Sequence, residues 1–299
     1  MQTENCVLCG SQNFNLLLKT RDLAGSSNEL FYLVKCVCCG LIYLNPLPNR
    51  ENSKKYYDNK YFKTSNFGSL SNNIYRIQIG KAFLELKHPD GKALDIGCGD
   101  GSLLLIMKRL GWDVHGVDIS NSAVKLAKDK LGTENIFTGN LKDCQFPSNF
   151  FDVISLRHVL EHLHEPYKSL KEIRRILKED GVLSITVPNV DSLYFHVFKK
   201  NWFHLDIPRH LFQFSIETLN GLLSKAGFKV IKRGISIEDP LDLFRDLLQL
   251  MGIRPWILPK YLQPAVIILA QISLPLSFIL SVLGKGTAVQ VFAVPKRNF

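Results

Sequence analysis

Four clusters in this chain have residue types and spacings that can do chemistry. The first is Asp95-Ile96-Gly97-Cys98-Gly99-Asp100-Gly101. Glycine accepts positive φ and leaves the main chain bare, so a ligand can approach backbone N–H groups closely. Downstream, Val114-His115-Gly116-Val117-Asp118 ends in an acid. A carboxylate at such a strand end can accept the hydroxyls of a nucleoside ribose. The Gly-x-Gly-x-Gly spacing is tighter than the G-x-G-x-x-G of pyrophosphate binders, and Asp95 repels a pyrophosphate. A cationic, phosphate-free nucleoside suits the turn better.

The second cluster is a pair of knuckles, Cys6-Val7-Leu8-Cys9-Gly10 and Cys36-Val37-Cys38-Cys39-Gly40. Each places two thiols on one tight turn that the following glycine relaxes. Together Cys6, Cys9, Cys36 and Cys39 can complete a tetrahedral S4 site for zinc, with Cys38 as an alternative to Cys36 in a shifted register. Four thiolates leave no open position, so the ion is structural. It would hold a segment too short to bury a core, since such sites are worth roughly 10–16 kcal/mol in apparent binding.

The third cluster is Arg157-His158-Val159-Leu160-Glu161-His162. His158-x-x-Glu161-His162 matches the H-x-x-E-H pattern of a zinc protease family, which needs both histidines on one helix face. The stretch also follows a strand end, where doubly wound folds place ligands. The fourth is Asn201 to Phe212, rich in aromatic residues, His and Arg. Arg209 could take a phosphate or carboxylate bidentately, and His204 or His210 could accept a proton from a hydroxyl. Tight packing of a polar loop is the competing reading of this stretch.

The elements that must position these groups follow a strand–helix alternation. Ala93–Ile96, Val114–Asp118, Glu134–Thr138, Phe150–Ser155, Val182–Val187 and Phe228–Ile235 read as strands. Ser102–Leu110, Ser122–Leu131 capped by Ser120, Pro166–Leu177 and a helix from Ser215 to Lys225 lie between them. Lys178-Glu179-Asp180-Gly181 reads as a turn before the fifth strand. Near the N-terminus, Phe14–Leu18 and Glu29–Val34 read as ribbon strands, and Leu41–Pro48 as an extended exit. Tyr56, Tyr57, Tyr61 and Phe62 could wall the ligand pocket, ahead of an amphipathic helix over Ile74–Leu86.

Residues 240–284 interrupt the alternation before a last strand, Thr287–Val294. No charge occurs from Tyr261 to Gly284. The run is long enough to cross a bilayer, but the last strand must return to the same sheet. A buried helical cap or an interfacial hairpin therefore fits better than a span.

The whole chain carries a formal charge of +10, while residues 92–190 hold 13 Lys/Arg and 13 Asp/Glu. The basic excess thus rims the glycine-turn region, which suits an anionic substrate or lipid. No basic and apolar leader is visible at the N-terminus, and two CxxC pairs favour zinc over disulfides. A cytoplasmic setting is expected, with peripheral contact on the inner face of the membrane through 240–284.

Asp95 to Gly101 resembles motif I of the class I S-adenosylmethionine (SAM)-dependent methyltransferases. Residues 157–166 resemble the turn common in small-molecule members. The knuckles, Cys39-Gly40-Leu41-Ile42-Tyr43-Leu44 and Asp206-Ile207-Pro208-Arg209-His210-Leu211 resemble zinc-ribbon methyltransferases found with bacterial polysaccharide and sugar biosynthesis. The resemblance implies an α/β fold, a doubly wound Rossmann-like seven-stranded sheet. It implies a zinc ribbon at 1–45, cofactor-covering helices at 46–90 and a methyltransferase domain at 91–299. The implied SAM contacts are Asp95, Gly97, Gly99, Gly101, Asp118, Ile119, Asn140 and Leu141, with His158 near the methyl group. The acceptor implied is a small molecule such as a sugar, nucleotide sugar or lipid-linked glycan.

Two other readings stand beside it. An RNA methyltransferase would suit a ribbon and a basic rim, but Ser155-Leu156-Arg157-His158 replaces the Asn/Asp-Pro-Pro-aromatic motif of exocyclic-amine methylation. A SAM-binding protein without turnover is the other.

Overall fold

A computed structural model describes residues 4–22, 28–50, 52–56, 91–236, 241–253 and 263–296. The expected tyrosine wall beyond Tyr56 and the helix at 74–86 lie outside these residues. The chain divides into two compact units. One comprises Met1–Ser71, Pro188–Leu219 and Gly234–Val289, and the other Asn72–Val187, Asn220–Arg233 and Gln290–Phe299.

The first unit opens with β1 (Phe14–Arg21), β2 (Leu30–Cys36) and β3 (Ile42–Leu44) in antiparallel pairs. The segment read as an extended exit is therefore a third strand. Its side chains Ile42, Tyr43 and Leu44 are all buried, which a linker has no reason to be. A fourth strand comes from far downstream: Phe212–Gln213, β9 in chain order, pairs antiparallel with β3. The aromatic loop at 201–212 is thus partly sheet. Tyr43 and Phe212 stack across the β3–β9 pair, and Phe212 stacks on Phe214.

The second unit is built on a seven-stranded sheet with order β10-β11-β8-β7-β4-β5-β6. Its strands are β4 (Lys92–Ile96), β5 (Asp113–Asp118), β6 (Ile136–Thr138), β7 (Phe151–Arg157), β8 (Leu177–Pro188), β10 (Phe228–Ser236) and β11 (Ala288–Pro295). The pairs β4–β5, β4–β7, β5–β6 and β7–β8 are parallel. Parallel strands covered on both faces read as continuous apolar runs, and β7 is buried from Phe151 to Leu156.

Three helices cover this sheet. α1 (Ser102–Arg109) buries Leu103, Leu104 and Met107, which cluster with Ala93, Val114 and Val153 of the strands. α2 (Asn121–Leu131) starts at Ser120, whose hydroxyl accepts the Ala123 N–H at 3.3 Å, and stops at left-handed Gly132. α3 (Pro166–Ile176) buries Leu170, Ile173 and Ile176.

The sequence places a turn at Lys178–Gly181, and the structure does not. β8 runs unbroken through those residues, with a register shift against β7 between Phe151 and Val153. At this irregularity Gly181 passes close to Leu177 and the Asp152 carbonyl. A Cβ there would meet them at 2.8 and 3.0 Å.

The first unit also holds α4 (Leu193–Phe198), and α5 (Ile216–Ala226) leads into β10. The insertion is helical as expected: α6 (Asp242–Leu250) and α7 (Gln263–Val282). Among the described residues no helix is long and apolar enough to cross a membrane.

At the base of α6 two buried carboxylates share a polar pocket. Asp242 Oδ1 lies 3.0 Å from His204 Nε2 and 3.2 Å from Arg245 Nη1. Asp246 accepts the Phe203 N–H at 2.6 Å. Burial pushes Asp246 up to about 7, aided by the nearby Asp242 charge and opposed by the Phe203 N–H. An unfolded aspartate titrates near 4, at about 3.9. The folded state therefore holds a proton that the unfolded state releases between those values. This contribution to stability is complete below about pH 4 and is lost as pH rises through about 7. Asp246→Asn, which keeps the acceptor oxygen, should flatten that slope and make the protein more resistant to urea at pH 8 than wild type. Denaturation midpoints at pH 5 and pH 8 measure this, and an unchanged slope refutes it.

Candidate active site and cysteine centre

The candidate active site lies at the carboxyl ends of β4, β5 and β7, all in the second unit. Gly97, Gly99 and Gly101 have φ of +73°, +54° and +72°, a region where other residues are strained. Gly97 N–H donates to the Val117 carbonyl at 2.7 Å, which ties the turn to β5. Gly97 also has no room for a side chain. A Cβ there would lie 2.3 Å from Val159 Cγ2. The turn carrying His158 is therefore packed directly on the glycine turn.

Asp118 is organised by the same turn. Its Oδ2 accepts the Gly99 N–H at 2.9 Å and its Oδ1 accepts the Ser120 N–H at 2.8 Å. Each carboxylate oxygen has a second lone pair, so a diol can still be received. Gly139 N–H donates to the Asp118 carbonyl at 2.9 Å, which brings the next turn alongside. There Asn140 caps a 3-10 turn at Leu141–Cys144 through Asp143, with Asn140 exposed and Leu141 half-buried. Ile119 is exposed beside Asp118. Asp95 is buried and accepts the Ser155 hydroxyl at 2.5 Å.

His158 follows the last residue of β7 with φ +51°, a left-handed conformation uncommon outside glycine. Its N–H donates to the Thr186 carbonyl at 2.9 Å, which holds the backbone in place. Its Nδ1 lies 3.2 Å from Oε1 of Glu161, a fully buried carboxylate. The expected helix through Glu161 and His162 is absent. Leu160–His162 forms a single 3-10 turn, so His158 and His162 do not share an α-helical face. The H-x-x-E-H protease geometry is not formed. Sequence reasoning missed the pairing of Glu161 with His158, although the i, i+3 spacing was visible. It also had no means of seeing Val159 against Gly97.

The first unit holds the remaining candidates. Cys6, Cys9, Cys36 and Cys39 bring their Sγ atoms within 4.8 Å of one another. Two cross-knuckle distances, Cys6–Cys39 and Cys9–Cys36, are 3.5 Å. The knuckles are matched. Gly10 N–H donates to the Cys6 carbonyl and Gly40 N–H to the Cys36 carbonyl, with φ of +78° and +76°. Cys38 is exposed and its thiol lies 3.3 Å from Ser11 Oγ, outside the cluster. Burial pushes the Cys6 and Cys39 thiols up, while the Cys39 N–H and the Cys9 thiol bring Cys36 down to about 7. Four clustered soft donors have the composition of a tetrahedral cation site.

Arg209, expected to receive an anion, is buried with three internal partners. Its guanidinium donates to Asp206 Oδ1 (2.8 Å from Nε), to Asp22 Oδ1 at 3.0 Å and to the Tyr56 carbonyl at 3.2 Å. These carboxylates neutralise it within the fold. His204 faces Asp242, as above. His210 is buried with Nδ1 2.7 Å from the His204 carbonyl, which makes it the donor there.

The methyltransferase-domain family matches residues 72–233, just over half of the chain. This chain belongs to that family. The fold is that of SAM-dependent methyltransferases. One from Archaeoglobus fulgidus superposes with a TM-score of 0.52 at 22% identity, covering 74% of this chain and 93% of that one. Among relatives, a ubiquinone/menaquinone biosynthesis C-methyltransferase of Vibrio campbellii is 30% identical over 174 residues, 48% of this chain and 66% of that protein. A ubiquinone biosynthesis O-methyltransferase of Glaesserella parasuis is 34% identical over 107 residues, 33% of this chain and 45% of that protein. The chain thus spans less than two thirds of these methyltransferases' length.

The residues at the methyltransferase turn fit SAM. Three left-handed glycines expose main chain, Asp118 is oriented from both sides, and Asp95 and Asp100 disfavour a pyrophosphate. Asp118→Ala should weaken SAM binding by about 1.5–3 kcal/mol, roughly ten- to a hundredfold. Gly97→Ala should weaken it further, because a methyl group must displace Val159. Calorimetric titration with SAM measures both. Wild-type affinity in either variant would contradict the assignment.

Proposed function

We propose that this protein transfers a methyl group from SAM to a small-molecule acceptor of the sugar, nucleotide-sugar or lipid-linked glycan class. We further propose that zinc fills its cysteine centre and that it works in the cytoplasm. The observation that supports the reading most is the packing of Val159 on Gly97, because it holds His158 at the cofactor turn.

SAM when bound supplies a methyl group made electrophilic by its sulfonium. The chain's own part is to bind, align and manage a proton. Asp118 and the glycine backbone hold the nucleoside. Alignment alone can be worth about 7–11 kcal/mol. Glu161 accepts from His158 Nδ1, which fixes the ring and leaves Nε2 as the basic nitrogen. Nε2 is the atom that takes a proton from an acceptor hydroxyl as the oxygen attacks. The relatives' names include both a C- and an O-methyltransferase, so the acceptor atom is left to experiment.

Labelled SAM incubated with nucleotide sugars, lipid-linked glycans and RNA should label one of the first two. Label in RNA alone, or none anywhere despite SAM binding, would replace this reading. On the labelled acceptor, His158→Ala should lower kcat about a hundredfold or more while SAM affinity stays near wild type. A matching loss of SAM affinity would make His158 a structural residue instead.

Metal analysis should find one zinc per chain, lost in Cys36→Ser and retained in Cys38→Ser. Zinc loss in both, or neither, would remove the S4 assignment.

A further inference from the structure

The described side chains of α7, from Ser273 to Val282, are arranged inside out. A helix on the surface of a water-borne domain buries its apolar stripe and exposes its polar one. Here Ser273 and Ser277 are buried, each 8% exposed, beside Leu280. Ser281 Oγ donates to the Ile235 carbonyl at 2.5 Å. Facing outward are Leu274, Leu276, Phe278 (60% exposed), Ile279, Val282 (71%) and Leu283. At 3.6 residues per turn these positions sweep about half of the helix circumference. The neighbouring α6 continues the pattern. Asp242 and Asp246 are buried, while Leu250 and Met251 are exposed.

The exposed charges that directly follow α4 and α7 in the chain are lysines. Asp242 and Asp246 are the only acids between residues 241 and 299, and both point inward. From residue 247 to the end the sequence carries Arg254, Lys260, Lys285, Lys296 and Arg297 and no acid. Lys285 is exposed directly after α7, and its carbonyl accepts the Leu193 N–H of α4 at 3.1 Å. The turn that ends α4 exposes Lys199 and Lys200. Trp256 and Tyr261, residue types favoured at headgroup level, occur in the sequence between α6 and α7.

An exposed apolar face with exposed lysines at the ends of α4 and α7 matches an anionic lipid surface. A second copy of the chain would oppose like charges across the same face. We propose that α6 and α7 lie flat on an anionic membrane, with the outward face of α7 over 274–282 at the headgroup–acyl boundary. They anchor there without crossing. The inference does not rest on methyl transfer or on the acceptor.

Flotation of the full-length protein with phosphatidylcholine vesicles, with or without phosphatidylglycerol, tests it. The protein should float with the phosphatidylglycerol vesicles, and less at high salt or on phosphatidylcholine alone. The variant Leu274→Ser/Phe278→Ser/Val282→Ser alters exposed side chains only. It should lose at least about tenfold in vesicle affinity, by removing apolar area from the lipid, with SAM affinity and thermal unfolding unchanged. Failure of wild type to float with anionic vesicles overturns the proposal. So does a triple variant that floats as well as wild type, or a wild-type dimer that the triple variant converts to monomer. Flotation without any methyl transfer would uphold the docking and sink only the functional reading.

Discussion

The turn after β4 can be built only where a side chain is absent. At Gly97 the main chain passes so close to Val159 that a methyl group would sit inside it. That single approach couples two stretches sixty residues apart in sequence. It draws the segment after β7 onto the segment after β4, and it leaves His158 in a left-handed conformation with its N–H on Thr186. The same turn presents the Gly99 N–H to Asp118, so the third strand end is held as well. Strand pairing supplies the frame, and the glycine turn brings the polar groups on it into one place. A bulkier turn would leave the sheet intact and scatter the chemistry.

The other unit is organised by a different force, charge sealed away from water. Arg209 and Asp22 are almost wholly buried, and Asp206 and the Tyr56 carbonyl complete the guanidinium's set. Leaving one partner of such a pair alone costs about 3–5 kcal/mol. The pair therefore ties the end of β1 to the segment leading into β9. The cysteine knuckles sit on the same sheet, and a cation among them would secure its other end.

What was legible in the sequence followed from local rules. Gly97, Gly99 and Gly101 announced left-handed backbone, Ser120 announced a cap, and the apolar run at Phe151–Leu156 announced a buried parallel strand. The clustering of Cys6, Cys9, Cys36 and Cys39 was readable because knuckle spacing is a local property, though placing Cys38 outside it required the fold. What was not legible depended on distant partners. Arg209 looked like a ligand for an external anion because nothing near it reveals that Asp22, far upstream, claims its charge. The H-x-x-E-H spacing of His158 and His162 admitted a helix, but the segment after β7 forms only one 3-10 turn. Lys178–Gly181 carries turn residues, and there the strand keeps its extended course while its register against β7 jumps.

The borrowed strand of the first sheet has a consequence for synthesis. β3 is paired on one side by β2, but its other edge waits for Phe212–Gln213. On a ribosome both knuckles emerge long before that strand does. In the interval the nascent chain shows an open β-edge of Ile42, Tyr43 and Leu44, the kind of surface that invites pairing with other chains. Early metal capture by the knuckles would keep this exposed intermediate compact until its missing edge is translated.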